Sequence, residues 1–209
     1  MRYVEARDYF TFKPNEVRRE RECARYIFTP LPVLGSVVEV FGGFGLMLEL
    51  LEDMGKVTPA TEVVAWDHSP SCIRARRDRW PGHRNVVTDS FTMSVPPAEL
   101  VSVDFNTFSP LKAHRVRRYR RLLDGVFGVD PQWVQLTDSA PSKLHMNAVS
   151  YRRFFGRRVV DVKSYLKACS AWYEAEYGYS VRAAAWHTNA AYCLLSPGPA
   201  SKWSPVKVS

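Results

Sequence analysis

The sequence has no Cys-x-x-Cys pair and no histidines at metal-ligand spacing. Its four cysteines, Cys23, Cys72, Cys169 and Cys193, stand far apart. A structural zinc site draws soft ligands from close pairs, so no metal is expected. Scattered thiols also exclude a disulfide scaffold and suit a reducing compartment. No apolar run reaches membrane length; Tyr192–Leu195 is far too short to cross a bilayer. The N-terminal segment is charged throughout and lacks the apolar stretch of a signal peptide, so a cytoplasmic protein away from membranes is expected. Repeats and low-complexity tracts are missing too. So are Gly-x-Gly-x-x-Gly and Gly-Lys-Ser/Thr, which argues against phosphate as the principal ligand of a glycine turn.

What is present is ample for a core. The chain has 209 residues, 46% of them hydrophobic, which excludes an intrinsically disordered chain. Lys and Arg total 29 against 21 Asp and Glu, a net charge of +8. That field attracts polyanions without saying which.

Hydrophobic periodicity and Gly/Pro punctuation divide the chain into alternating elements. Asn15 can cap a helix over Pro14–Phe28, and Pro30-Leu31-Pro32 ends it. Ser36–Phe41 is β-rich and runs into Gly42-Gly43-Phe44-Gly45, after which Leu46–Met54 has helical spacing. Strands are expected over Glu62–Trp66, Asn85–Thr88, Leu100–Val103 and Gln132–Leu136. Helices are expected over Ser69–Trp80, Lys112–Phe127, His145–Phe155 and Asp161–Tyr177. Tyr179–Trp186 and Ala190–Leu195, joined by three residues, make an antiparallel hairpin. The alternation predicts an α/β fold: a mostly parallel sheet, helices on both faces and an antiparallel edge. The expected organisation is a helical extension over 1–32, the sheet domain over 33–196 and a tail over 197–209.

In such a sheet, ligands bind beyond the carboxyl ends of the strands. Glu39 and the glycines follow the first strand, Asp67 the second, Asp89 the third and Asp104 the fourth. One acid at a strand end is an ordinary cap. Four clustered at one edge repel each other unless a ligand uses them. Gly43 and Gly45 would let the backbone pass close to that ligand.

Glu39-Val40-Phe41-Gly42-Gly43-Phe44-Gly45 resembles the (Asp/Glu)-x-Phe-x-Gly-x-Gly motif of class I S-adenosylmethionine-dependent methyltransferases, particularly those acting on nucleic acids. Val63–Asp67 is similar to that family's second strand, and Val87-Thr88-Asp89-Ser90-Phe91 to its third. The resemblance covers about residues 33 to 196 and implies the Rossmann-like methyltransferase fold with a seven-stranded sheet. It implies S-adenosylmethionine as cofactor. Glu39 would orient its methionine ammonium, with Phe41, Gly42, Gly43 and Gly45 lining the pocket. Asp67, beside His68, would take the ribose hydroxyls; Asp89 or Ser90 would face the adenine amine, with Phe91 and Ile73 packing near the ring.

Asp104-Phe105-Asn106-Thr107-Phe108-Ser109-Pro110 stands where the family places its catalytic motif. The double proline of amino-directed DNA methyltransferases is absent, and no Cys lies nearby for cytosine-C5 chemistry. By the resemblance, Asp104 is the catalytic residue and a cofactor contact, Asn106 positions the acceptor, and Phe105 or Phe108 supplies a stacking surface. Arg115, Arg117, Arg118, Arg120 and Arg121 crowd the helix that follows. Arg74, Arg76, Arg77 and Arg79 crowd another, and Arg152, Arg153, Arg157 and Arg158 flank Phe154-Phe155. Arginine runs are often solvated helix faces, but bidentate phosphate contact favours Arg over Lys. The expectation is methyl transfer to a base amino group of DNA or RNA. The alternatives are a small-molecule or protein acceptor, and a methyltransferase-fold protein that has lost catalysis.

Overall fold

The computed structural model describes residues 14–104, 109–139, 149–156, 158–188, 190–199 and 202–209. In chain order the elements are α1 (Pro14–Phe28), β1 (Ser36–Val40), α2 (Leu46–Asp53), β2 (Glu62–Asp67) and α3 (Pro70–Arg79). Then come β3 (Arg84–Val87), β4 (Leu100–Val103), α4 (Pro110–Arg115), α5 (Arg117–Gly128) and β5 (Trp133–Ser139). α6 (Val149–Phe155), α7 (Val162–Tyr177), β6 (Tyr179–Trp186), β7 (Ala190–Pro197) and β8 (Val206–Lys207) complete the chain.

The strands form one sheet in the order β3-β2-β1-β4-β5-β7-β6-β8. β1 to β5 are parallel; β7 runs antiparallel to both β5 and β6. The expected α/β sheet and its antiparallel hairpin are therefore present. An eighth strand, β8, pairs parallel with β6 from within the segment read as a tail. The order reverses between β1 and β4, which opens the crevice at the carboxyl ends of those two strands.

The central strands bury both faces. One face, bearing Val38, Val40, Val101, Val103, Val134 and Leu136, packs under Leu123, Val126 and Phe127 of α5 and Tyr165, Leu166 and Cys169 of α7. The other bears Val37, Val63, Leu100 and Leu194, under Leu48 and Leu51 of α2 and Cys23, Ala24, Ile27 and Phe28 of α1. The segment expected to be an extension thus supplies one wall of the core. All four cysteines are buried and none is in a disulfide.

Local chemistry sets the helix ends. Ser69 caps α3 by accepting from the Cys72 amide, with Pro70 at the first helical position. Asp161 and Ser164 form a capping box on α7, and left-handed Gly178 ends it. The single helix expected over Lys112–Phe127 is two. Val116 is extended (φ −123°, ψ 105°) and separates α4 from α5. No Gly or Pro marks the break. Leu111 and Leu122 lie about three helical turns apart, so their hydrophobic phase is the same with or without it. The first four residues of the expected His145–Phe155 helix lie outside the described residues; its remainder is α6. Among the described residues, no helix is long and apolar enough to cross a membrane.

Candidate active site

The sheet face that α1 and α2 cover changes character along the strands. Its lowest row is apolar: Val37, Val63 and Leu100. Two residues on, Glu39 pairs in register with Ser102 and Ala65, Ser102 with Gln135, and Ala65 with Asn85. Glu39, Asn85, Ser102 and Gln135 are all buried. Two residues further come Asp67, Phe41, Asp104 and Thr137. A buried polar band therefore underlies the crevice at the switch point.

Buried polar groups need partners, and this band supplies its own. Arg76 of α3 is fully buried and spans it: Nε donates to Asn85 Oδ1 at 3.0 Å, Nη1 to the Gly42 carbonyl at 3.0 Å, and Nη2 to Glu39 Oε2. Glu39 Oε2 thus has a partner within the chain, the Arg76 guanidinium. Arg76 itself does not belong to a solvated arginine face. Of its neighbours, Arg77 donates to the Asn85 carbonyl, and Arg79 pairs with Glu49 and lies over the Trp80 ring. On β4 and β5, Ser102 Oγ donates to Gln135 Oε1 at 2.6 Å, and Gln135 Nε2 donates to Thr137 Oγ1 at 2.7 Å. The Thr137 hydroxyl then serves the Asp104 carboxylate. These hydrogen bonds point one way, toward Asp104.

The glycine turn rests on this clasp. Phe41 and Gly43 have φ of 58° and 50°, and Gly45, which opens α2, has 86°. A Cβ at Gly45 would lie 2.6 Å from the Trp80 ring and 2.7 Å from Arg76 Nη1, so packing demands that glycine. A Cβ at Gly43 would meet nothing within 4 Å. Bare main chain at Gly43 therefore faces open space. Asp67 holds the turn from the next strand, accepting from the Gly43 amide at 3.0 Å and from the Ser69 amide at 2.8 Å. His68 Nδ1 lies 3.4 Å from the same carboxylate. Beyond Asp67, His68, Ser69, Pro70, Ser71 and Arg74 line a hollow of about 400 Å³.

The far wall is aromatic. Phe91 meets Phe41 edge-on at 5.0 Å and Tyr119 at 5.1 Å, while the Arg118 guanidinium lies 4.7 Å over Phe91. Asp89 is exposed and caps its own turn through the Phe91 amide at 3.1 Å. Ser90 is fully buried and its Oγ has no hydrogen-bond partner. Ile73 is a core residue, fully buried. Asp104, partly buried, ends β4 with its amide bonded to the Val40 carbonyl at 3.1 Å. Burial pushes its carboxyl up to about 6; the Thr137 hydroxyl opposes this and the Glu39 and Asp67 charges add to it. Phe105, Asn106 and Phe108 lie outside the described residues.

Solved structures share this architecture. The plantazolicin methyltransferase BpumL, in complex with a monoazolic desmethylPZN analog and SAH, superposes with a TM-score of 0.56 at 9% identity, over 93% of this chain and 89% of that one. Human N-acetylserotonin methyltransferase in complex with SAM gives 0.53 at 11% identity, over 92% and 55%. A putative RNA methyltransferase from Pyrococcus horikoshii gives 0.51 at 12%, over 88% and 85%. No family model and no curated protein matches the sequence. The chain has the Rossmann-like methyltransferase fold.

On that fold, the structure brings Glu39, Phe41, Gly42, Gly43, Gly45, Asp67 and Asp104 to one crevice, with Phe91 at its wall. Arg76, Asn85, Ser102, Gln135 and Thr137 form the buried polar band beneath that crevice, and motif reading passes over them. For Ser102, Gln135 and Thr137 the signal lies in Val101-Ser102-Val103 and Val134-Gln135-Leu136-Thr137, where, as in Val38-Glu39-Val40, polar residues alternate with apolar ones and share a single face of the buried sheet. Of the arginines that follow Asp104, Arg120 is bound to Asp124 at 2.8 Å and to Glu176. Arg115, Arg117 and Arg121 are exposed with no acidic partner among the described residues. No group of three His, Cys, Asp or Glu among the described residues could hold a metal.

Proposed function

We propose that the chain is an S-adenosylmethionine-dependent methyltransferase whose acceptor is an amino group of a base in DNA or RNA. One observation carries the cofactor reading: the open space over the Gly43 main chain, ringed by Asp67, Asp104 and the Phe41–Phe91 pair. The fit is good at two points. Asp67 spends two acceptor sites on amides and keeps the rest of its carboxylate lone pairs for hydroxyls. The aromatic pair offers apolar surface to a purine. The methyltransferase neighbours with SAM or SAH support the same reading.

When bound, S-adenosylmethionine supplies an electrophilic methyl group on sulfonium sulfur. An acceptor nitrogen would take that methyl group and would have a proton to shed, which a side chain of the protein must accept. Asp104 aims the lone pair by accepting a hydrogen bond from the amine, and receives the proton afterwards. Its placement beside Thr137 sets the carboxylate's orientation. The exposed arginines after Asp104 support a polyanionic acceptor over an uncharged one.

Calorimetry with SAH on the wild type and on Asp67→Ala tests the cofactor site. The wild type is expected to bind and the variant to lose at least tenfold; equal affinity in both sinks the site. Tritiated-methyl transfer to pooled DNA, RNA, protein and small-molecule acceptors then tests the acceptor.

A further inference from the structure

We propose that the hollow between α4 and α6 is a docking site for the single strand that flanks the acceptor base. A phosphodiester would sit between Arg115 and Arg153, with a neighbouring base against Phe154 and His114. The proposal rests on the nucleic-acid reading above and names where that polymer is held.

The hollow is about 450 Å³, lined by Leu111, His114, Arg115, Ser150, Arg153 and Phe154 among others. That volume suits a nucleotide-sized group. Its lining contains two arginines and no acid. The nearest strand-end acid, Asp138, is already held by Lys112 at 3.0 Å and by the Tyr165 hydroxyl at 3.0 Å. Several arginines elsewhere are spent within the fold: Arg18 on Glu22, Arg21 on Glu49, Arg76 on Glu39, Arg120 on Asp124 and Glu176. Arg115 and Arg153 are exposed and have no such counter-charge among the described residues. Two arginines without an acidic partner among the described residues thus face one concavity.

The walls fit the rest of a nucleotide. Phe154 is partly buried, its ring centroid 5.2 Å from that of His114, so a ring face is fixed at the mouth. Base stacking on such a ring is tolerant of sequence and suits a single strand. The location follows from chain order: Ser109 and Pro110 begin α4 only five and six residues beyond Asp104. A strand held here lies on the acceptor side of the crevice, away from the Asp67 wall.

Fluorescence anisotropy with labelled dT12 and rU12 tests this, over a salt series, in the full chain. The wild type is expected to bind at least one of the two, with affinity falling as salt rises. Arg115→Gln combined with Arg153→Gln should lower the log–log salt slope by about 0.7, the one phosphodiester that the two share on a single strand. Phe154→Ala should weaken binding about 5- to 150-fold with the salt slope unchanged. Arg25→Gln with Arg84→Gln, exposed on other elements, should alter neither quantity. Wild-type binding by the double Arg115/Arg153 variant, equal loss in the Arg25/Arg84 control, or no binding of either oligonucleotide by the wild type overturns the proposal. SAH calorimetry on the same preparations keeps the two readings apart. Absent SAH binding in the wild type sinks the methyltransferase reading, whereas retained SAH binding with any overturning result above sinks only the docking site.

Discussion

A carboxylate at the end of a central strand is in tension between solvation and purpose. Asp104 sits above Glu39 and near Asp67, and its pKa of about 6 lies above the usual carboxylate value. A raised folded-state pKa means that the folded chain binds a proton more tightly than the unfolded one. The associated stability is complete below the unfolded value near 4 and is lost as pH rises through about 6. Asp104→Asn should therefore stabilise the protein at neutral pH, by up to about 3 kcal/mol, while removing methyl transfer. Thermal melts at pH 7.5 and pH 4 check the sign, since the gain should shrink at the lower pH. Turnover of the wild type should fall as pH drops through about 6, because a protonated Asp104 no longer accepts from the amine. Thr137→Val removes the hydroxyl that favours the ionised form, so the midpoint of that fall should move upward. Thr137→Ser should restore it. A midpoint indifferent to Thr137→Val would break the link from β5 to Asp104.

At the scale of elements, β1, its glycine turn and α3 behave as one clasp. Removing one member of a buried ion pair strands the other charge, so Arg76→Met should cost about 3–5 kcal/mol. Adding Glu39→Val should recover most of that loss in denaturant titrations, because neither charge then remains. The two glycines should separate stability from binding. Gly45→Ala meets Trp80 and Arg76 and forces a left-handed alanine, for about 2–4 kcal/mol of lost stability. Gly43→Ala meets nothing in the protein and should cost only about 1–2 kcal/mol, yet it places a methyl group in the crevice and should weaken SAH binding at least tenfold.

The legibility of these parts differs for physical reasons. The glycine turn and the acids at strand ends were readable because Gly, Asp and the β-rich runs each leave a local mark. The burial of Arg76 was not, since Arg74, Arg76, Arg77 and Arg79 form a run that looks solvated, and only the partner strand shows which one turns inward. The break at Val116 was equally silent, because it leaves the hydrophobic phase intact. The Ser102–Gln135–Thr137 series was legible in principle: polar residues on one face of otherwise apolar strands must find partners in each other.

On the scale of the whole molecule, α1 is the element whose role chain order conceals. It precedes the first strand and reads as an appendage, yet Cys23, Ala24, Ile27 and Phe28 are wholly buried. They cover Ala183, Ala185, Tyr192 and Leu194, on the face of β6 and β7 opposite the one that α7 packs against. Burying Ile27 and Phe28 alone is worth about 3–6 kcal/mol, a large share of the roughly 5–15 kcal/mol that holds a domain together. A chain starting at Thr29 should therefore lose its cooperative melt and bind a hydrophobic dye through the uncovered face. Ile27→Ala should lower the melting temperature without abolishing the transition, at about 2–5 kcal/mol for a large-to-small change in a packed core. If the truncated chain melts cooperatively within a few degrees of the intact one, α1 only decorates a sheet that is complete without it.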